Sequence, residues 1–196
     1  LADAKVEDFS TYDFGLSLGG PIVRDRLWFF AAYNASFENK DVEIASLGVK
    51  EDRRQVPMFA GKLNWRAGEN TDVTFSFFGD PATHSQVRPW ATFLSTPTAV
   101  ENLDVLLLEL EDGGVNYSAQ FQHRLGNILL IDAGAARYEA GHVFRGKTKV
   151  GRTDPLYIDQ ETSTWSGGVG LIDDTGYVRT SGKVHGTLFL GKHTLK

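Results

Sequence analysis

Cysteine is absent from the 196-residue chain, and methionine occurs once. Without cysteine there is no disulfide framework, no thiolate zinc site and no cysteine nucleophile. The chain also lacks an excess of positive charge, since 20 Lys and Arg accompany 25 Asp and Glu and the net charge is −5. Nucleic-acid binding needs a broad basic field, and we therefore expect no nucleic-acid partner.

Long apolar runs are missing as well. No stretch of about 18 consecutive apolar residues occurs, so no transmembrane helix is predicted. The chain starts at Leu1 without an initiator methionine, and we therefore expect it to be a piece of a longer protein. Two classes remain open at this point: a soluble β-rich domain and a β-barrel membrane protein.

Apolar and polar residues alternate repeatedly with a period of two, which is typical of β-strands. In the first such segment Tyr12, Phe14, Leu16 and Leu18 share one face, and the residues between them are small or polar. We predict eight strands, at residues 12–20, 27–38, 58–66, 72–79, 115–124, 129–136, 179–190 and after residue 193.

The links between these strands alternate in length. Short links join the strands in pairs, and long links are predicted at residues 39–56, 80–113 and 139–178. Bacterial outer-membrane barrels have this asymmetry, with tight periplasmic turns and long extracellular loops. Residues 103–110 fit the scheme poorly, and they either extend the fifth strand or form a small element within a loop.

The composition of the two strand faces favours a membrane barrel over a soluble one. The polar faces are rich in Ser, Asn, Gln, Gly and Ala, and their few charged residues are Lys62, Arg66, Asp132 and Lys183. The apolar faces carry no charge in their central residues, where a lipid-facing charge would cost about 2–4 kcal/mol. We therefore predict that the apolar faces meet lipid and that the polar faces line an interior. In the alternative, a soluble barrel, the apolar faces point inward.

Aromatic residues and strand direction extend this prediction. Tyr12, Tyr33, Trp65 and Tyr117 are either members of the interfacial girdles of a membrane barrel or ordinary strand aromatics.

If the short links lie in the periplasm, the first strand descends from the outer surface. A complete barrel normally begins in the periplasm, so we expect at least one strand before Leu1 and interpret the chain as an internal piece of a larger barrel.

A segment near the start of the chain resembles a known family. Residues 18–30, LGGPIVRDRLWFF, are similar to the segment of TonB-dependent outer-membrane receptors in which GGPI precedes a basic-Asp-basic turn and an aromatic strand. The similarity is greatest to the Oar-like group, whose members carry a carboxypeptidase-regulatory-like domain. Residues 61–65 with 74–77, and residues 189–196, resemble hairpins of the same barrels.

The resemblance implies an all-β fold, an antiparallel transmembrane β-barrel of about 22 strands with an N-terminal plug. Residues 1–196 then form a partial barrel domain of about seven to eight strands, and the plug, the TonB box and the regulatory domain are absent from it. Trp28 and Phe30 either pack on the plug or fill the base of the strand.

The function that the resemblance implies is active import of a bulky nutrient, such as an iron chelate, cobalamin or a glycan, across the cell outer membrane. The implied partners are outer-membrane lipid, an unknown nutrient and the TonB-ExbB-ExbD energy-coupling system, which acts through the missing parts. Two alternatives stay open: a small eight-stranded outer-membrane barrel with a structural or adhesive role, and a soluble lipocalin-like ligand-binding barrel. We expect the loops at 80–113 and 139–178 to capture the substrate, because loops carry specificity in barrels.

No residue pattern indicates catalysis, a metal or a cofactor. Gly167–Gly170 lacks the Lys-Ser/Thr of a phosphate loop, and Asp132 and the Asp173-Asp174 pair are expected to be hydrated carboxylates. The histidines are not at metal-ligand spacing: His84, His123, His142, His185 and His193. We therefore predict that the protein is not an enzyme and that it has no catalytic, cofactor-binding or metal-binding residues.

The coding sequence on either side of this segment tests the family prediction. We expect a plug-type domain upstream and about fourteen further amphipathic strands downstream, because a barrel of about 22 strands needs them to close. A stop codon soon after Lys196, preceded by an aromatic residue, would instead support the small eight-stranded barrel.

Overall fold

The computed structural model describes residues 5–44, 48–87, 99–170 and 172–196, and most of them lie in β-strands. The elements in chain order are β1 (Lys5–Val23), β2 (Leu27–Ile44), β3 (Gly48–Gly68), β4 (Thr71–Gly79), β5 (Ala82–Val87), β6 (Ala99–Val100), a 3-10 helix η1 (Leu103–Val105), β7 (Leu107–Asp112), β8 (Gly114–Leu125), β9 (Leu129–Gly146), α1 (Lys149–Thr153), β10 (Leu156–Asp159), β11 (Thr164–Gly167), β12 (Asp173–Leu190) and β13 (His193–Leu195).

The long strands form one antiparallel sheet in the order β1-β2-β3-β4-β8-β9-β12-β13. β5 continues β4 between β3 and β7, and β7 continues β8 between β5 and β9. A separate small sheet has the order β10-β11-β6. Among the residues described, β1 pairs only with β2 and β13 only with β12, so both edges of the large sheet are open. The chain is therefore all-β with an antiparallel sheet, as predicted.

The register of the sheet places the apolar runs on one common face. Residues directly opposite each other on neighbouring strands point to the same side. One such row runs through Phe29, Leu63, Phe75, Ala119 and Ala135. The row one residue away, on the opposite face, consists of Phe30, Lys62, Ser76, Ser118, Ala136 and Ser181. We call these two sides the apolar face and the polar face.

The apolar face is largely exposed in the described sheet. Phe14 is 56% exposed, Phe75 48% and Val184 81%. A charged pair, Arg137 and Glu139, marks the limit of this face on β9, where Arg137 Nε donates to Glu139 Oε1 at 2.5 Å. The apolar rows are therefore not gathered into a buried core.

All three long links are shorter than predicted, and the first is almost entirely strand. Residues 39–44 and 48–56 pair along β2 and β3, and only residues 45–47 lie outside the description. The prediction of a long link at 39–56 was wrong because charged residues occupy both faces there, with Lys40 opposite Asp52 on one face and Asp41 opposite Glu51 on the other. Alternation then disappears from the sequence although the backbone ladder continues.

The other two links begin later and end earlier than predicted. β5 and β7 occupy 82–87 and 107–112, while β9 reaches Gly146 and β12 starts at Asp173. Residues 103–110 contain both of the alternatives considered for them, a small helical element at η1 and a strand, β7, that extends β8. The described residues that remain between the long strands are 99–106 and 147–170, with residue 172.

The ladder of the central strands is interrupted at Asp80 and Pro81, which lie opposite Gly114 and Gly113, and we call this interruption the ladder break. The register is the same on both sides of it, because Gly79 pairs with Val115 and Ala82 with Asp112, and Asp80 N donates to Gly114 O at 3.1 Å. Gly113 has φ +94°, and a Cβ there would lie 2.3 Å from Asp80 O, so only glycine fits. Proline suits this position because it has no N–H to contribute to the ladder.

The buried core of the described residues lies on the far side of the ladder break from the short turns. Residues 99–106 and 147–170, which we call the cap, pack on the end of the sheet. One core cluster joins Val105, Leu106 and Trp165 and packs against Val42 of β2 and Leu107 of β7. The other joins cap residue Val169 to the strand residues Leu108, Leu110 and Phe144. In the sheet register, Val42, Leu108, Leu110 and Phe144 belong to the polar face, whereas Leu107 has apolar-face parity.

Replacing the central cap residue tests this core. Trp165 is 1% exposed, and Trp165→Ala is expected to destabilise the cap by about 3–5 kcal/mol through lost packing and a residual cavity. Limited proteolysis of the full-length protein should then cleave within residues 147–170. Tyr157→Ala is the matched control, because Tyr157 is 59% exposed; equal cleavage of both variants would contradict this placement of the core.

Candidate functional site

The polar face carries a ladder of hydrogen-bonded side chains across β3, β4 and β8. Thr74 Oγ1 donates to Asn64 Oδ1 at 3.0 Å, and the hydroxyls of Ser76 and Ser118 lie 2.7 Å apart. These contacts join β3 to β4 and β4 to β8. They give this part of the sheet a polar, largely uncharged surface.

A row of charged and amide side chains crosses the same face closer to the turns. Gln122 Nε2 donates to Asp132 Oδ1 at 2.8 Å, and Asp132 lies opposite His185 in the register. Arg66 Nε is 3.5 Å from Asp72 Oδ1. These contacts are exposed and contribute little to stability. The expected placement of Asp132 on the polar face is thus confirmed.

The aromatic residues singled out in the sequence fall on the two faces as predicted. Trp28 and Phe30 are on the polar face near the short turns, where the Arg66 guanidinium lies 5.8 Å from the Trp28 ring centroid. The four girdle candidates share the apolar face, and all are exposed: Tyr12, Tyr33, Trp65 and Tyr117. The structure brings none of these six residues together into one site.

A hollow lies on the polar face beside the ladder break, on the side of the short turns. It has a volume of about 540 Å³ and is shared by β1, β2, β3 and β4. Ala32 and Ala60 contribute small side chains, and Asn34, Phe78 and Asp80 contribute larger ones. Phe78 is 56% exposed although it lies on the polar face.

Sequence reasoning did not identify this hollow. Phe78 follows the alternating residues Val73, Phe75 and Phe77 and has the wrong parity for the apolar face. That mismatch, followed at once by Asp80-Pro81, was the available signal. The register with β3 was needed to show that Gly15 and Asn34, far away in sequence, border the same space.

Closer to the cap, the polar face carries a half-buried hydrogen-bonded pair. His84 Nε2 and Asp52 Oδ1 are 2.6 Å apart on β5 and β3. The adjoining charged residues on β2, Glu38 and Lys40, also contact each other. The side chains of these four residues are therefore already paired with one another.

A second network of charges attaches the cap to the sheet. Arg145 Nε donates to Glu109 Oε2 at 3.1 Å, and Arg152 of α1 donates to the same oxygen at 2.8 Å. The hydrogen bond to Glu109 raises the pKa of Arg145, so its positive charge is maintained. Arg152 Nε also donates to Gly146 O at 2.7 Å, which ties α1 to the end of β9.

A carboxylate closes the turn between β10 and β11. Asp159 Oδ1 accepts hydrogen bonds from the backbone amides of Thr162, at 3.1 Å, and Glu161, at 2.8 Å. These bonds favour the ionised form and lower the pKa of Asp159 below its ordinary value of 3.8. The carboxylate is exposed, so its contribution to stability is small.

A cluster of potential metal ligands is not present in the described part of the chain. There, no three His, Asp or Glu residues lie close enough to hold a metal ion. Asp173 and Asp174, expected in a loop, begin β12, and Asp173 accepts a hydrogen bond from Thr175. No helix within the described ranges has the length and apolar character needed to cross a membrane.

Comparisons of this chain with protein-family models, with curated proteins and with solved structures found no match. The similarity of residues 18–30 to TonB-dependent receptors therefore remains a resemblance in the sequence itself.

The Asp159 turn gives a pH-dependent prediction. Because the folded pKa is lowered, the carboxylate stabilises the turn above the unfolded value of 3.8, and this contribution is lost as pH falls through the folded pKa. We expect hydrogen exchange at the Thr162 amide, corrected for its intrinsic rate, to lose protection on acidification. Asp159→Ala should remove the protection at neutral pH, and Asp159→Asn should keep part of it without the pH dependence. An unchanged exchange rate in Asp159→Ala would exclude this role.

Proposed function

We propose that this chain is part of the wall of a TonB-dependent receptor, a β-barrel of the cell outer membrane that actively imports a bulky nutrient. The apolar face would meet lipid and the polar face would line the interior. The observation that carries this proposal is the division of one long sheet into an exposed apolar face and a polar face that is covered only at one end.

The dimensions of the apolar face suit a bilayer. On β2 its apolar residues extend from Leu27 to Phe37, which is about 11 residues, the length of a transmembrane strand. At about 3.4 Å per residue and a tilt of about 40°, this segment spans roughly 25 Å, the height of the lipid-facing band of a barrel. Exposed apolar patches of this extent mark contact with lipid or with another protein.

The position of the cap supports an interior on the polar side. Val42, Leu108, Leu110 and Phe144, which pack in the core clusters, have polar-face parity, whereas Leu107 has apolar-face parity, so the cap packs mainly on the polar side. The links at the other end of the sheet, at residues 24–26, 69–70, 126–128 and 191–192, have only two or three residues. Extracellular loops that fold inward over a lumen and tight periplasmic turns have this arrangement.

The open sheet edges favour a large barrel over the alternatives. β1 and the first part of β12 have backbone groups without strand partners in the described residues, and lipid cannot supply the missing hydrogen bonds. A soluble lipocalin-like barrel would need the apolar rows inside it, opposite to the side on which the cap is packed.

The receptor class rests on residues 18–30, which form the end of β1, the turn and the start of β2. As part of such a receptor, the chain would act with outer-membrane lipid, a nutrient and the TonB-ExbB-ExbD system, which would engage parts of the receptor outside residues 1–196. No step of this function requires catalysis by the chain.

Single cysteines on adjacent residues test which face meets lipid. Ala119 and Gln120 are neighbours on β8 and point to opposite faces, and this chain has no native cysteine to interfere. In the full-length protein in intact outer membranes, Gln120→Cys should react with a water-soluble maleimide. Ala119→Cys should react with this reagent at least about tenfold more slowly, because thiolates form and react poorly in an apolar medium. A lipid-soluble maleimide should modify Ala119→Cys.

The opposite labelling pattern, or recovery of the protein in the soluble fraction, would refute the proposed orientation. Thr180→Cys and Ser181→Cys on β12 repeat the comparison two strands away, since Thr180 has apolar-face parity and Ser181 polar-face parity.

A further inference from the structure

An exposed phenyl ring on a polar surface requires an explanation. Phe78 is 56% exposed on the polar face, and its neighbours across β3 and β8 are Ala60 and Asn116. The small side chains of Ala32 and Ala60 leave open the space around the ring. Leaving the ring uncovered in water is unfavourable, so a group that packs on it gains free energy.

The polar groups around this ring restrict what that group can be. Among the described residues on the polar-face wall of the hollow, Asp80 is the only one with an ionisable side chain, and Asn34 and Ser17 supply an amide and a hydroxyl. None of the described residues that border the hollow is Lys, Arg or His. A ligand that carries phosphate or carboxylate would therefore meet an uncompensated negative charge, whereas a ligand with hydroxyl donors would meet an acceptor.

Hydrogen bonds at the ladder break hold Asp80 in position. Asp80 Oδ1 accepts a hydrogen bond from Gly114 N at 3.3 Å, and Asp80 N donates to Gly114 O. Among the described residues, the other oxygen of the carboxylate has no donor. The volume of about 540 Å³ falls within the range of roughly 300–1,000 Å³ that is usual for small-ligand sites.

We propose that the hollow formed by Phe78, Asp80, Asn34 and Ser17 binds a neutral sugar unit. The C–H face of a pyranose ring packs on the Phe78 ring, and its hydroxyls donate to the Asp80 carboxylate and exchange hydrogen bonds with Asn34 and Ser17. This inference rests on the proposed function, because the polar face must line an accessible interior. It narrows the class of imported nutrient to neutral oligosaccharides or glycoconjugates.

The experiment uses the purified full-length protein on an array of neutral and acidic oligosaccharides, followed by titration with the strongest neutral one. We expect Phe78→Ala to weaken that binding by about fivefold to tenfold, the usual effect of one aromatic contact. Asp80→Asn should weaken it as well, because it removes the anionic acceptor while an amide oxygen can still accept from Gly114 N. Phe75→Ala is the matched control, since Phe75 lies on the same strand and has apolar-face parity.

Three outcomes would refute the proposed sugar site. They are the absence of neutral binders, a preference for acidic oligosaccharides, and equal affinity of Phe78→Ala and the unmodified protein. If Phe78→Ala lowers thermal stability and leaves affinity unchanged, the ring packs on another segment of the same protein instead. Outer-membrane fractionation of the same variants separates the two proposals, because it reports the location of the protein whether or not a sugar binds.

Discussion

The structure depends on the register of one antiparallel sheet, because the register decides which side chains share a face. Successive residues of a strand point to opposite sides, so a shift of one residue would move every apolar side chain to the polar side. From Phe29 on β2 to Gly182 on β12, six strands keep one apolar row aligned. The register shifts between Val6 and Asp8, between Pro21 and Val23 and between Arg66 and Gly68 lie near the ends of the strands, so that alignment is preserved.

The ladder break at Asp80, Pro81 and Gly113 divides the sheet into two regions. On the side of the short turns, the sheet has small polar residues on one face and exposed apolar residues on the other, and it buries little of itself. On the other side of the break, the strands carry charges on both faces and pack Leu108, Leu110 and Phe144 against the cap. Apolar burial drives folding only where water is the competing environment. In the proposed barrel, the Trp165 and Phe144 clusters would therefore lie in the part of the chain outside the bilayer.

The hollow lies at the boundary between these regions. In the proposed barrel, a ligand that passed the cap would meet Phe78 before it met the hydrogen-bonded polar ladder. Nearer the cap, His84 and Asp52 are hydrogen-bonded to each other. In the hollow, one oxygen of the Asp80 carboxylate has no donor among the described residues, and the exposed ring of Phe78 lines the same space.

The sequence alone determined the strands in which the two faces differ in polarity, and with them the composition of each face. Period-two alternation is local, so residues 12–20 or 72–79 were predicted without knowledge of their neighbours and lie within β1 and β4. The tertiary structure alone decided the rest. The paired segments at 39–44 and 48–56 have no alternation to detect, and the cap buries residues that only long-range contacts bring together. The hollow combines four strands whose alignment is a property of the whole ladder, and no single strand carries that information.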